Sequence, residues 1–444
     1  MKNILTLIIT LTLLGPQSCI AQKKVILNPK QVKMVIDTLG KNLISYYVFP
    51  DKALKIDEYI KTQYKKGTYK NITDPQELAD KLYADIKLVH FDPHMGVSYN
   101  PDFEKQHAKE KNAPQKSTDS IAELNRLKET NFNFKKMEIL SGNVGYLQFN
   151  QFVADIKNAK PILAAAFTFL SNTKALIIDL RYNGGGDIDM VSQIESYFFK
   201  QKTHMNDVVN RLGNDTTLLY ADPKKADGLT LSMPVYILTS KRTFSGAEDF
   251  SYAMQSVKRA TIVGDTTGGG AHPVNTFSIT NGLVAFIPFA RSLNPYTHTD
   301  WEGTGVIPDI AVPSTNALEK ALETIYTNQL KSAKNNDEKK AIEWQLHRLN
   351  VYHYLKIDAK TLEQYTGTYN SGGLNFYVKN GALYCKNKQG KNYTFELVPI
   401  SSSVFTWGEN TELEAEFIKD TNGNFISIHI LGPNGILATM NRDN

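Results

Sequence analysis

Residues 233–255 read MPVYILTSKRTFSGAEDFSYAMQ. An apolar run of strand length empties into a short polar loop, and a helix-like stretch opens at Ser245. The same alternation surrounds it. GNVGYLQFNQF (142–152) and ALIIDLRYNGGGD (175–187) are short apolar runs, with the helix-like KPILAAAFTFL (160–170) between them. ATIVGDTTGGG (260–270) and GLVAFIPFA (282–290) follow downstream. Continuous apolar strands alternating with helices predict a sheet covered by helices, an α/β core.

The flanks differ from this core. Residues from about 28 to 88 have helical spacing: Asn28 and Pro29 open one helix with Val32, Val35, Ile36, Leu39 and Leu43 on a single face. Asp74 and Pro75 open another with Leu78, Leu82 and Ile86 buried. Residues 101–135 are polar and charged and read as a surface excursion with one short helix. Helical spacing returns from 316 to about 355. Beyond Thr361, Asn380-Gly381, Asn422-Gly423 and Asn434-Gly435 punctuate β-rich runs, which predicts antiparallel hairpins. The expected organisation is therefore a helical segment over 22–100, the excursion over 101–135, the α/β core with closing helices over 136–357, and a small β domain over 358–444.

The chain has 444 residues and a net charge of +5, enough length for two or three cored domains. Its basic runs are short and mixed with polar residues, so they read as solvated faces and not as a nucleic-acid stripe. At the N-terminus, Lys2 precedes an apolar core from Ile4 to Leu14, too short to span a bilayer and suited to an export signal cleaved after Ala21. Lipidation at Cys19 is the rival reading, disfavoured by Pro16 and Gln17 just before it. Cys19 and Cys385 are the only cysteines, so signal removal leaves one thiol and no internal disulfide. The expected location is periplasmic or extracellular.

Taken one at a time, the polar motifs have ordinary explanations. Ser245 stands where a helix cap belongs, and Glu248 completes the capping-box spacing. The same position offers the amides of Gly246 and Ala247 to an anion. The three glycines 184–186 lack the spacing of a phosphate or dinucleotide loop and suit a tight strand-to-helix turn. Among the nine histidines, His90, His94, His272 and His298 lie in motif-like surroundings, and each alone reads more readily as structural than as a base. HFDPH lacks the further ligands of a metal site, so no metal or organic cofactor is expected. Glu302, in a glycine-bounded turn, could orient an imidazole or merely face solvent.

Together, GYLQFNQF, LIIDLRYNGGG, LTSKRTFSGAEDF, RATIVGDTTGGGAHP and EGTGVIPDIAV resemble the carboxy-terminal (tail-specific) processing serine peptidases in order and spacing. The resemblance spans about residues 30–330 and implies a core of the crotonase and Clp-protease type. FDPHMGV, and the absence of lysine from the stretch after Ser245 where a lysine-dyad enzyme keeps one, place it beside the tricorn core and interphotoreceptor retinoid-binding-protein branch. That resemblance implies Ser245 as nucleophile, His94 as general base and Glu302 as its orienting acid. It also implies oxyanion donors at Gly246 and in the Gly184–Gly186 turn, foremost Gly185. His272 becomes the alternative base or a wall of the substrate site. Pro93 departs from the pattern, since tricorn-type sites carry a serine there. The implied substrate is a peptide or protein, with a non-catalytic carrier of apolar ligands as the alternative on the same fold.

Overall fold

The computed structural model describes residues 25–103, 118–213, 215–351, 355–388, 393–407 and 413–443. The expected export signal, Cys19 and much of the polar excursion lie outside these residues. Among the described residues no helix is long and apolar enough to cross a membrane.

Two compact units emerge, and the chain passes between them more than once. The first comprises residues up to 91, 95–112 and 274–287. It contains α1 (Pro29–Tyr46), α2 (Pro50–Lys65) and α3 (Pro75–Val89). Asn28 and Gln31 form a reciprocal capping box at α1, and Asp74 accepts from Gln76 N and Glu77 N at α3. The apolar positions read from the helical spacing are all buried in one core. That core is completed by a sheet of order β1 (Gly96–Tyr99), β10 (Leu283–Pro288) and β9 (Val274–Ser278). Val97 pairs with Ala285 in antiparallel register. The sequence places residues 282–290 in the α/β sheet. They fold instead with the N-terminal helices, because Leu283, Ala285 and Ile287 alternate into the helical core.

The second unit holds residues 92–94, 113–273 and 288–444. Its central sheet runs β12 (Ile310–Ala311), β8 (Ala260–Gly264), β7 (Val235–Thr239), β4 (Ala175–Asp179), β3 (Val144–Phe149) and β2 (Phe134–Leu140). Every neighbouring pair is parallel except β2 with β3. Successive side chains pack on opposite faces, as the period of two requires. Ile178, Ile237 and Ile262 enter the core formed with α5 (Ile156–Leu170), α6 (Ile188–Glu195) and α7 (Gly246–Ser256). Ile177, Leu238 and Val263 face α8 (Ala317–Lys331) and α9 (Asn336–Val351). Both faces are therefore covered, which explains the unbroken apolar strands. The short helix expected in the excursion is α4 (Thr118–Glu129), with Leu127 in the first of these cores. A small antiparallel sheet, β5 (Thr203–Asn210), β6 (Thr216–Ala221) and β11 (Ala290–Leu293), has β5 at its centre and was not legible in the sequence.

The C-terminal residues form two four-stranded antiparallel sheets over one aromatic core. The first is β13 (Gly367–Tyr369), β14 (Leu374–Lys379), β15 (Ala382–Asn387) and β16 (Thr394–Leu397). The second is β17 (Val404–Thr406), β18 (Glu414–Lys419), β19 (Phe425–Gly432) and β20 (Gly435–Asn441). Isolated bridges Pro399↔Phe405 and Tyr369↔Arg442 join the two sheets at both seams, a barrel-like closure. Asn380-Gly381 makes a two-residue turn with both φ angles positive, as its sequence predicts. The last hairpin turns one residue earlier than expected, on Pro433-Asn434, with Gly432 facing Gly435. Tyr365, Tyr369, Phe376, Phe405, Phe417 and Phe425 fill the interior. Eight strands enclose about the space that side chains can fill, so this domain is packed through.

Candidate active site

Three loops leave the carboxyl ends of β4, β7 and β8, which lie side by side in parallel register. In open α/β sheets this edge is where ligand sites arise. The loops are laced together by side chains and backbone. Thr243 Oγ1 donates to Leu180 O at 2.8 Å, and Ser240 Oγ to Arg181 O at 2.6 Å. Phe244 N donates to Asn183 O at 3.1 Å, and Gly268 N to Thr243 O at 3.0 Å. Beneath them Arg181 pairs with buried Asp179, which also accepts from Tyr146 Oη at 2.6 Å.

Ser245 heads α7 with φ 52° and ψ −121°. A side-chain-bearing residue seldom occupies this region, and strain there costs about 1–3 kcal/mol. An ordinary helix cap is extended, so Ser245 is not an ordinary cap. It faces Glu248 in the capping-box arrangement, yet the Glu248 N–H bonds the Ser245 carbonyl at 2.8 Å and the hydroxyl makes no cap hydrogen bond. The Glu248 side chain is fully buried and holds the joint from below. Oε2 accepts from Ser245 N at 2.9 Å and Gly270 N at 2.8 Å. Oε1 accepts from Thr267 Oγ1 at 2.5 Å and Gly269 N at 2.6 Å. Burial raises its pKa above the usual carboxylate value, against the lowering effect of these four donors. One carboxylate thus binds the strained serine to the loop after β8.

The glycine turn packs directly on this serine. Gly185 has φ 97°, and a Cβ there would stand 2.6 Å from Gly246 N and 2.8 Å from Ser245 Cβ. A Cβ on Gly186 would stand 2.0 Å from Phe152 O. Only glycine allows this approach. Gly185 N–H, expected to be an oxyanion donor, is already donated to Asn183 Oδ1 at 2.8 Å. Among the described residues, Gly186 N–H and Gly246 N–H donate to no backbone carbonyl. Gly186 N lies 3.2 Å from the place a Gly246 Cβ would occupy, so these two amides are neighbours.

His94 reaches the same place from a distant part of the chain. Its ring packs on Phe244, the residue before Ser245, with centroids 4.7 Å apart. Gly270 leaves room for both rings, since a Cβ there would meet Phe244 Cζ at 2.3 Å and His94 Cε1 at 2.5 Å. Burial drives the His94 pKa down to about 4. The Asp92 carboxylate pulls it partly back, and the His272 ring lowers it further. The imidazole is therefore neutral across the physiological range. No hydrogen bond joins His94 to Ser245 in this structure, and His94 Nδ1 is buried with no partner. Such bonds are often long before substrate binds.

Glu302 does not stand on His94. Oε2 accepts from Ala271 N at 2.6 Å and lies 3.5 Å from His272 Nδ1, while Oε1 is buried without a partner. The expectation that Glu302 orients His94 is corrected accordingly: the loop after β8 places His272, and not His94, against the acid. Asp92 serves both histidines, accepting from His94 N at 3.0 Å and meeting His272 Nδ1 at 2.8 Å. Burial lowers the His272 pKa, but the Asp92 hydrogen bond and the charges of Glu302 and Asp92 outweigh it and leave it raised. Burial lifts Glu302 to about 7, against the lowering effects of His272 and the Ala271 amide. Asp92, His272 and Glu302 bring their ligand-type atoms within 4.8 Å of one another, the one grouping among the described residues with the donors for a cation.

Sequence reasoning missed Glu248 as a tie, Asp92 as an anchor, and Asn183 and Thr267 as loop braces. Glu248 at the third helical position looked like half of a capping box. Asp92, two residues before His94, has the spacing of an Asx turn, a signal that was available.

Comparison with known proteins finds family matches in both units. Residues 143–312 match peptidase family S41, and residues 20–140 match the N-terminal domain of Peptidase_S41 in eukaryotic IRBP. A carboxyl-terminal-processing protease of Picosynechococcus sp. is 29% identical over 203 residues, 44% of this chain and 46% of that protein. Carboxyl-terminal-processing peptidase 2 (chloroplastic) of Arabidopsis thaliana is 27% identical over 175 residues, 39% of this chain and 32% of that protein. The chain thus spans less than half the length of these curated relatives. Among solved structures, a putative peptidase from Parabacteroides merdae covers 66% of this chain and 96% of its own, at 21% identity and a TM-score of 0.47. The tricorn protease covers 72% of this chain and 37% of its own, at 14% identity and a TM-score of 0.42. With matches running from residue 20 to residue 312 in the order of the motifs, the chain belongs to peptidase family S41.

Proposed function

We propose that this chain is an exported serine peptidase that cleaves peptide bonds through an acyl-enzyme, with Ser245 as nucleophile and His94 as general base. The observation that carries the proposal is the Ser245 backbone, held at φ 52° at the head of α7 against a glycine turn. Strand-to-helix joints of this kind expose a nucleophile above the sheet and set amides beside it. Neutral His94 takes the Ser245 proton as Oγ attacks the substrate carbonyl and later gives it to the leaving amine. Water then releases the acyl group. The oxyanion is held by Gly246 N–H and an amide of the Gly184–Gly186 turn. Each such donor lowers the barrier by about 3 kcal/mol. With Gly185 N–H occupied by Asn183, Gly186 is the better-placed second donor. Asp92 and His272 support the loop that carries His94, and Glu302 acts through His272. Export is supported by Lys2 and the apolar run from Ile4 to Leu14.

One observation favours a second reading, a weakly catalytic or non-catalytic binder of apolar ligands on the same fold. His94 Nδ1 has no acid on it, and Pro93 supplies no hydroxyl. A purified chain that cleaves no peptide pool but retains an apolar ligand would support this reading.

Three measurements test the assignment. Ser245→Ala abolishes covalent labelling by a fluorophosphonate probe; undiminished labelling would exclude Ser245. The pH profile of kcat/KM separates the two bases, because activity requires a neutral imidazole. With His94 as base the acid limb falls near pH 4, where protonation removes the base. An acid limb above 6.5 would assign the base to His272, whose pKa is raised. Glu248→Gln, which turns one accepting oxygen into a donor, lowers kcat at least tenfold with little change in KM. It also lowers Tm by several degrees in thermal melts, consistent with lost bonds to a charged group of about 1.5–3 kcal/mol each. Full activity in Glu248→Gln would show that the joint holds without this carboxylate.

A further inference from the structure

At the edge of the six-stranded sheet stands β2, which among the described residues pairs with β3 alone. Antiparallel pairing turns the amides and carbonyls of alternate β2 residues toward β3 and leaves the others pointing outward. Proteins usually cover, shorten or charge such an edge. This one is seven residues long, and Met137 and Ile139 on it are 44% and 45% exposed. The register fixes its two faces. Met137 stands opposite Leu147 and Ile139 opposite Gly145, on the side of α5. Lys136 stands opposite Gln148 and Glu138 opposite Tyr146, on the other side. A groove of about 370 Å³ lies between the edge and α5, lined by Phe134, Met137, Leu147, Pro161 and Ile162, with Lys135 and Lys136 beside them. None of these residues serves the candidate active site.

Lysines on an edge strand usually repel a second strand. Lys136 is not a free charge of that kind, because Nζ lies 2.5 Å from Glu138 Oε2, two residues along on the same face. The strand reads FKKMEIL, with opposite charges at equal distances on either side of Met137. We infer that β2 is a self-association edge, where a second copy of this chain pairs antiparallel with its own β2 about a two-fold axis at Met137. Such an axis sets Met137 against its counterpart and Lys136 of each copy opposite Glu138 of the other. Residues directly opposite on one face have Cβ atoms about 5 Å apart, within reach of a lysine–carboxylate pair. Lys135 falls opposite Ile139, which keeps the two Lys135 side chains apart. Moving the axis one residue either way sets Lys136 against Lys136 or Glu138 against Glu138, so the charges select one register. Outward amides and carbonyls then find partners, Met137 and Ile139 lose exposure to water, and two six-stranded sheets become one. The inference stands apart from the peptidase reading.

The test is sedimentation velocity of the purified chain across micromolar concentrations, beside Lys136→Glu, Glu138→Lys and the double variant Lys136→Glu/Glu138→Lys. Melting temperatures check that each variant folds. The inference predicts a wild-type dimer. Each single variant sets like charges opposite each other at both pairs and weakens the dimer by at least about tenfold in Kd. The double variant regains it. An equimolar mixture of the two single variants forms a hybrid dimer, since the acids of one copy then face the lysines of the other. Pairing within one strand cannot produce that result, because each single variant carries like charges at both positions. A wild type that is monomeric throughout overturns the inference, including the case in which the edge serves a strand from another protein. A dimer that every variant retains would use another surface and overturns it too, as does a mixture that stays monomeric.

Discussion

Everything at the site depends on one buried carboxylate. Glu248 takes donors from Ser245, Thr267, Gly269 and Gly270, and so ties the head of α7 to the loop after β8. Ser245 has a backbone conformation that costs energy, and four hydrogen bonds to a charged group, desolvated together, offset it. Burial works against the charge, which is why the pKa is raised, but an acid with four donors around it remains a better acceptor ionised than protonated. The constraint extends outward. Gly185 and Gly186 can approach Ser245 and Phe152 only because neither bears a side chain, and Gly270 must be bare for His94 and Phe244 to stack.

The fold supplies the frame for this clamp. Parallel β4, β7 and β8 end in register, so three loops begin at one level and can be laced by Ser240, Thr243 and Asn183. Helices on both faces remove the sheet from water and make its central strands apolar throughout. Polar chemistry is thereby confined to the strand ends. The histidines are held there by a separate acid, Asp92, which contacts His94 through the backbone and His272 through its ring. The two imidazoles are pushed in opposite directions, His94 down by burial and His272 up by its carboxylate neighbours. That separation gives the two rings different affinities for a proton.

Much of this was legible in the sequence, for identifiable reasons. Unbroken apolar runs ending in glycine gave the α/β core, helical spacing gave α1 and α3 with their buried faces, and Asn380-Gly381 gave a hairpin turn with both φ angles positive. Ser245, His94, Gly246 and the glycine turn were expected at one place and are found on neighbouring loops. What could not be read was pairing across long separations. Residues 283–287 look like any apolar strand, and only the packing shows that they complete the helical core. Glu302 was assigned to His94 by resemblance, but the choice between two histidines is a matter of ångströms that no spacing encodes. The Gly185 amide looked free until Asn183, two residues earlier, was seen to fold back on it.

The most direct test of the central claim, that a strained Ser245 and the adjacent amides form one nucleophile-and-oxyanion unit, is a crystal structure of the chain inactivated by a peptidyl phosphonate. The proposal predicts phosphorus bonded to Ser245 Oγ, with one phosphonyl oxygen within about 3 Å of both Gly246 N and an amide nitrogen of the Gly184–Gly186 turn. An adduct on any other residue, or a phosphonyl oxygen pointing to solvent away from both amides, would contradict it.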